Sequence, residues 1–411
     1  MVSAQAIADP WPQFRGSHRD SICRETGLWD KIQSRDPKLE WTAEGVGNGY
    51  ASVSIVDGRI FTTGNTNSDQ SVVALSAKDG KVLWTQPISQ RKPKHGYEGS
   101  RSTPTVDGDR LYVCGSDGSI VCLSTANGQP KWRRDFRDWN GKMMSGWGFS
   151  ESPLIDGDVV VCTPGSNEAM LVAFNKMTGQ EIWTTKMDDT SQDKKELKDG
   201  AGYSSIMISN GGGVKQYVQL VGRGVIGVRA SDGVLLWRYD KVGNTTANIP
   251  SVIASGDDIF CSTGYNTGSA LLKLKADGND KVTMEEVYFL DAKTLQNKHG
   301  GMVLVDGYIY CGHGNGLGLP VCIDMKSGNV AWGPERSVGK GESSVVYADG
   351  HILYRFQDGT IAIVKANPQK FEVVKSFMPN FQEKESWSYP AISEGMLFLR
   401  EQNKVMCYRL R

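Results

Sequence analysis

The chain has 411 residues, and its 46 Lys+Arg balance 46 Asp+Glu, so it lacks the basic footprint of a nucleic-acid or polybasic membrane binder. No apolar run approaches the ~20 residues of a membrane helix. Gly at 48 residues is well above the usual ~7%, and with 11 Trp this points to an all-β repeat protein.

At the start, Ser3-Ala4-Gln5-Ala6-Ile7-Ala8 places small residues at alternate positions, as a signal-peptidase site does. Export, to the periplasm, is therefore expected. Residues 1–36 are expected to form an N-terminal extension, a leader remnant followed by a packing segment. Residues 37–411 are expected to form one repeat domain.

From there, apolar runs are broken by eight hairpin turns, beginning at Asp57-Gly58, Asp107-Gly108 and Asp156-Gly157 and continuing at Asn210-Gly211 and Gly256-Asp257. Asp306-Gly307, Asp349-Gly350 and Glu394-Gly395 complete the series. Positions 57 and 394 lie seven intervals apart, about 48 residues each, a length that suits one four-stranded propeller blade. Inside the blades a small residue, a Gly and a Trp recur at fixed spacing: Ala74…Gly80…Trp84, Cys122…Gly128…Trp132, Ala173…Gly179…Trp183, Gly227…Gly233…Trp237 and Cys322…Gly328…Trp332. The fifth and seventh units keep the turns but lack the Trp. The eighth ends at Val405–Leu410 with three strands. Leu39-Glu40-Trp41 resembles a fourth-strand ending, so the N-terminal strand is predicted to complete blade 8 and close the ring.

The eight cysteines, Cys23, Cys114, Cys122, Cys162, Cys261, Cys311, Cys322 and Cys407, lie mostly in apolar strand-like runs. Buried free thiols are expected. A cross-strand disulfide (Cys114–Cys122 or Cys311–Cys322) is the alternative, and the lack of a CxxC argues against a metal site.

These repeats closely resemble the tryptophan-docking units of the pyrroloquinoline-quinone (PQQ) type eight-bladed propellers. That group includes quinoprotein alcohol dehydrogenases and the assembly lipoprotein of the outer-membrane β-barrel machinery. Trp11-Pro12-Gln13-Phe14-Arg15-Gly16 and Asn297-Lys298-His299-Gly300-Gly301 are most similar to exported PQQ-like proteins of planctomycete type. The resemblance implies an all-β, eight-bladed propeller in which each Trp docks a neighbouring blade.

Propellers bind at the mouth of the central channel, on loops leading into the innermost strands. Those loops offer Tyr50, Arg101, Glu151, Tyr203, Asn248, Lys298, His299, Glu342 and Trp387 as candidate ligand-binding residues. The insertion at 133–148 carries Phe136, Trp139, Met143, Met144 and Trp147, a set suited to docking a partner. The resemblance to quinoprotein dehydrogenases implies PQQ stacked between a Trp and a disulfide of adjacent cysteines, with Ca²⁺ held by Glu, Asn and Asp. Glu151 and Asn248 are the only candidate ligands for such a metal. No adjacent Cys pair exists, and His299 stands at the next blade where an Asp would be needed. No cofactor is therefore expected.

Gly312–Gly318 lacks the Lys-Ser/Thr of a P-loop and reads as a hairpin turn. The charged run 188–199 reads as a solvated insertion. No Ser-His-Asp or HExxH pattern supports a hydrolase. The expected function is a monomeric, non-enzymatic exported scaffold that binds a protein or a small or oligomeric ligand. The alternatives are a PQQ/Ca-dependent oxidoreductase and a carbohydrate-binding propeller.

Overall fold

The structure, a computed structural model, describes residues 10–411 except 31, 33, 90–91, 188–195 and 337. The Ser3–Ala8 motif and the 188–195 part of the charged run lie outside the described residues.

Eight antiparallel sheets of four consecutive-type strands form the blades of a propeller. Blade 1 is Ser54–Val56, Arg59–Asn65, Gln70–Ser76 and Val82–Pro87. Blade 8 combines Ala391–Ser393, Met396–Glu401 and Lys404–Arg409 with Lys38–Glu44 from the other end of the chain, as predicted. Asp57 and Gly58 have φ of 50° and 70°, the left-handed pair of a two-residue hairpin. Asn210-Gly211 departs from that expectation. Ser209 pairs with Gln216, so the turn there holds six residues, including the short helical Gly211–Gly213. Among the described residues no helix is long and apolar enough to cross a membrane.

The Gly–Trp spacing has a packing cause. Trp84, Trp132 and Trp183 each lie on the Gly that ends a hairpin turn of the next blade, where a Cβ would collide. For Trp84 on Gly128 and Trp132 on Gly179 that Cβ would come within 2.6 Å of the ring. Three indole N–H groups reach a carbonyl of the neighbouring blade's turn: Trp84 to Thr125 (3.1 Å), Trp132 to Lys176 (2.8 Å) and Trp332 to Asn367 (2.8 Å). Trp183 likewise covers Gly233.

Two blades differ. Trp237 turns onto Gly227 of its own blade and donates to Gln216 Oε1 at 2.6 Å, so it does not repeat the expected docking. Blade 5 lacks the Trp, yet Tyr288 packs on Gly328 and donates its hydroxyl to Met325 O at 2.6 Å. A phenol there does the indole's work.

All eight cysteines are buried, and none is bridged to another. Register explains why the short spacings make no bridges. Cys114 pairs with Ile120 and Cys122 with Tyr112, while Cys311 pairs with Val321 and Cys322 with Tyr310.

Two features build the channel. A belt of hydroxyls joins successive innermost strands, with Ser52 N donating to Thr103 Oγ1, Thr103 N to Ser152 Oγ, Ser152 N to Ser205 Oγ and Ser205 N to Ser251 Oγ, all at 3.0–3.1 Å. The N-terminal segment also crosses one face of the ring. Trp11 bridges Ile55 of blade 1, Pro12 accepts from Val106 of blade 2, and Arg19 donates to Ser152 and Pro153 carbonyls of blade 3. Arg15 reaches Met302 O of blade 6, and Ile22–Cys23 adds a parallel strand to Ser343–Ala348 of blade 7. Glu25 caps the backbone of Glu394 and Gly395 in blade 8. Both guanidinium groups are buried, with Arg15 Nη2 and both Arg19 terminal nitrogens ending on carbonyls.

Candidate functional site

The loops leading into the innermost strands enclose a cavity of about 180 Å³ at the channel mouth. Seven of the nine predicted site residues line it: Tyr50, Arg101, Tyr203, Lys298, His299, Glu342 and Trp387. Phe14, from the segment crossing the opposite face, closes the far end and meets Tyr389 edge to face at 4.9 Å. The N-terminal segment therefore supplies part of the wall of this cup.

Trp387 anchors one wall. His299 stands edge-on to it at 4.3 Å, with Tyr50 at 5.1 Å and Tyr97 at 5.0 Å. Burial, together with the nearby Lys298 and Arg101 charges, pushes the His299 imidazole down to about 3, so the ring is neutral at ordinary pH.

Lys298 and His299 are presented by the glycines that follow them. A Cβ on Gly300 would lie 1.4 Å from Ser343 O and one on Gly301 2.5 Å from the Tyr389 hydroxyl, so only Gly-Gly lets this loop press against blades 7 and 8. Gly264 leaves room for the Lys298 stem in the same way.

The charges are compensated locally. Lys298 Nζ lies 3.5 Å from Glu342 Oε1 and 5.1 Å over the Tyr265 ring. Glu342 also accepts from Gly316 N at 2.5 Å, so the glycine-rich hairpin holds the carboxylate in place. Burial pushes the Glu342 carboxyl up while Lys298 opposes the shift. Arg101 lies 5.6 Å over Tyr50, and burial pushes it down to about 10. Its terminal N–H groups turn to the carbonyls of Gly96, Tyr97, Gly99 and Trp147, clipping two loops over the cup.

Glu151 and Asn248 are not at the wall. Side chains alternate along extended backbone, so Ser150 and Ser152 face the cavity while Glu151 points back into the blade. Its carboxylate accepts from Thr163 N (2.5 Å), Thr163 Oγ1 (2.7 Å) and Gln219 Nε2 (3.3 Å). Asn248 alternates in the same way between Ala247 and Ile249. It accepts from Asn244 and donates to Val221 and Gly222 carbonyls. These oxygens already serve the protein's own donors and do not fit a calcium site. Among the described residues no group of three His, Cys, Asp or Glu could hold a metal ion.

The five residues expected to dock a partner pack mostly against the protein itself. Phe136 is buried against Phe149 at 5.0 Å, and Trp139 meets Phe174 at 5.3 Å and donates to Glu181. Met143 bridges to Ala201, and Met144 is buried with its sulfur accepting from Asn248 N. The insertion therefore packs on its own propeller. Trp147 alone of the five lines the cup, 5.9 Å from Tyr203.

Sequence reasoning missed Tyr97 and Tyr265 because they come from other loops. Tyr97 lies in the connection between blades 1 and 2. Tyr265 sits at φ 58° beside Asn266 at 61°, in the second hairpin of blade 5. That Tyr-Asn turn was the available signal.

The family described as outer membrane protein assembly factor BamB matches residues 31–142 and 68–334, about three-quarters of the chain. A protein of that name from Kangiella koreensis is 28% identical over 138 residues, covering 32% of this chain and 31% of that relative. One from Burkholderia pseudomallei is 22% identical over 294 residues, covering 69% of each. A quinoprotein ethanol dehydrogenase from Pseudomonas aeruginosa is 26% identical over 190 residues, covering 43% of this chain and 28% of that enzyme. The matches span under a third of the length of the first of these relatives. The fold is shared with the crystal structure of BamB from Moraxella catarrhalis, with a TM-score of 0.61, 10% identity, and 91% and 98% of the two chains covered. It is also shared with quinohemoprotein alcohol dehydrogenase from Comamonas testosteroni, with a TM-score of 0.68, 12% identity, and 98% and 80% covered. With its docking repeats, closed ring and family match in agreement, the chain belongs to the BamB family of PQQ-repeat propellers.

Proposed function

We propose that this propeller is a non-enzymatic binding protein of the bacterial envelope whose ligand enters the central cup. The observation that carries this reading is the cup itself: a preformed concavity of about 180 Å³ with aromatic walls and a few fixed polar groups, the usual makeup of a small-molecule site. Its one buried carboxylate, Glu342, is held by Gly316 N and Lys298, which suits recognition better than proton abstraction. Placement in the envelope follows the outer-membrane name carried by relatives such as that of Kangiella koreensis. A protein partner, in keeping with their description as assembly factors, would meet the same mouth.

The test is saturation-transfer NMR with a mixed library of small fragments. Transfer to some fragments is expected, and it should disappear in Trp387→Ala. If no fragment shows transfer that depends on Trp387, the cup is not a binding site.

A further inference from the structure

We propose that the cup takes a single neutral polyhydroxylated ring, a monosaccharide or cyclic polyol. This rests on the reading that the cup binds a small molecule, and three observations narrow the class.

The first is size. A cavity of about 180 Å³ is only slightly larger than the ~150 Å³ cavity that holds one benzene. One substituted six-membered ring fits within it. A fused polycyclic ligand or an oligosaccharide does not.

The second is charge. Lys298 and Glu342 compensate each other at 3.5 Å, with side chains only 24% and 4% exposed. Arg101 turns its terminal N–H groups to four backbone carbonyls and so presents no open fork to a carboxylate. An anionic ligand would have to compete with Glu342 for Lys298.

The third is the mixture of donors and acceptors. A hydroxyl both donates and accepts, so a diol matches a wall that does both. The adjacent Lys298 ammonium and Glu342 carboxylate offer that pair: one hydroxyl accepts from the ammonium while its neighbour donates to the carboxylate. Neutral His299, which also lines the cup, carries one donor and one acceptor nitrogen. Deeper, Ser152, Ser205 and Ser251 line the cup and each accepts a backbone N–H from the neighbouring strand, which leaves each an O–H to donate. Between these polar groups, Trp387 and Trp147 supply apolar faces for the C–H side of a sugar ring.

The experiment titrates the intact protein with D-glucose, D-galactose, D-mannose and N-acetylglucosamine. Benzoate and D-glucuronate serve as anionic counterparts. Binding is followed by saturation-transfer NMR and calorimetry. At least one neutral sugar is expected to bind, with ring C–H protons receiving the transfer. Glu342→Gln and Lys298→Met should each weaken it about tenfold or more, the scale of a lost charged hydrogen bond. Thermal melts confirm that each variant is folded, and the two variants test the same pair independently.

Binding of benzoate or glucuronate without any neutral sugar overturns the ligand class and leaves the small-molecule cup standing. Sugar binding unchanged in both folded variants also overturns it. No Trp387-dependent binding of any probe overturns the cup reading with it.

Discussion

The indole of Trp41 lies against Gly80 and donates its Nε1 hydrogen to Ala77 O at 3.2 Å. This contact ties blade 8 to blade 1 with the same geometry that Trp84 uses on Gly128 and Thr125. A strand near the chain's beginning therefore closes the ring twice, by pairing with Lys404–Arg409 and by docking forward onto blade 1.

Ring closure predicts that Trp41→Ala destabilises the whole molecule. Truncating a large buried aromatic costs about 3–5 kcal/mol, and the partial exposure of Trp41 places it near the lower end. Deleting residues 1–42 should cost more, because Trp11, Arg15 and Arg19 leave with the closing strand. Denaturant midpoints check both. A truncated chain with the intact chain's midpoint would mean that the ring does not depend on this strand.

The docking positions give a graded series. Trp183 is buried on Gly233 and stacks with Tyr217 at 6.0 Å, so Trp183→Ala is expected to cost about 3–5 kcal/mol. Tyr288→Phe keeps the ring on Gly328 and loses only the bond to Met325 O, a change of about 1 kcal/mol. Equal losses in the two variants would refute the equivalence of phenol packing and indole docking.

The repeat was legible because a docking indole and the Gly beneath it must keep fixed separations, and that requirement leaves a period in the sequence. Closure by Leu39–Trp41 was legible for the same reason. The replacement at Tyr288 was not, since the phenol reaches the neighbouring carbonyl from a different point along a longer strand. The candidate site was legible where loops bring residues to the mouth. It failed at Glu151 and Asn248, where a shift of one position decides between cavity and blade. Arg15 and Arg19 gave no signal because their partners are carbonyls more than a hundred residues away.

Glu151 predicts a pH dependence. Burial is the main cause that pushes its carboxyl up to about 7, opposed by the Thr163 hydrogen bonds and by Arg19. With the folded value above the unfolded 4.5, the contribution is fully present below pH 4.5 and lost as pH rises through about 7. The change amounts to about 3 kcal/mol. Glu151→Gln removes the titration and keeps an oxygen for Thr163 N. Relative to wild type the variant should therefore gain stability between pH 4.5 and 8. Denaturation at pH 4.5, 6 and 8 measures this, and parallel profiles would contradict it.

PQQ with Ca²⁺ is expected to leave the protein's melting temperature unchanged and to support no dye-linked alcohol oxidation. Ca²⁺ takes six to eight oxygen ligands. Glu151 already accepts three hydrogen bonds, and Asn248 Oδ1 already accepts from Asn244. Recruiting either would break bonds inside blades 3 and 4. The eight cysteines are buried and none is bridged to another, so none forms an adjacent-disulfide wall for a quinone to stack on. Linkage makes the outcome measurable, since a ligand present at 100 times its dissociation constant stabilises the native state by about 2.7 kcal/mol. An upward shift that needs both additives and vanishes in Glu151→Gln would place a quinone beside Glu151 and return the chain to the dehydrogenases. A flat melt alongside a sugar-induced shift would instead assign the channel mouth to a ligand that needs neither metal nor quinone.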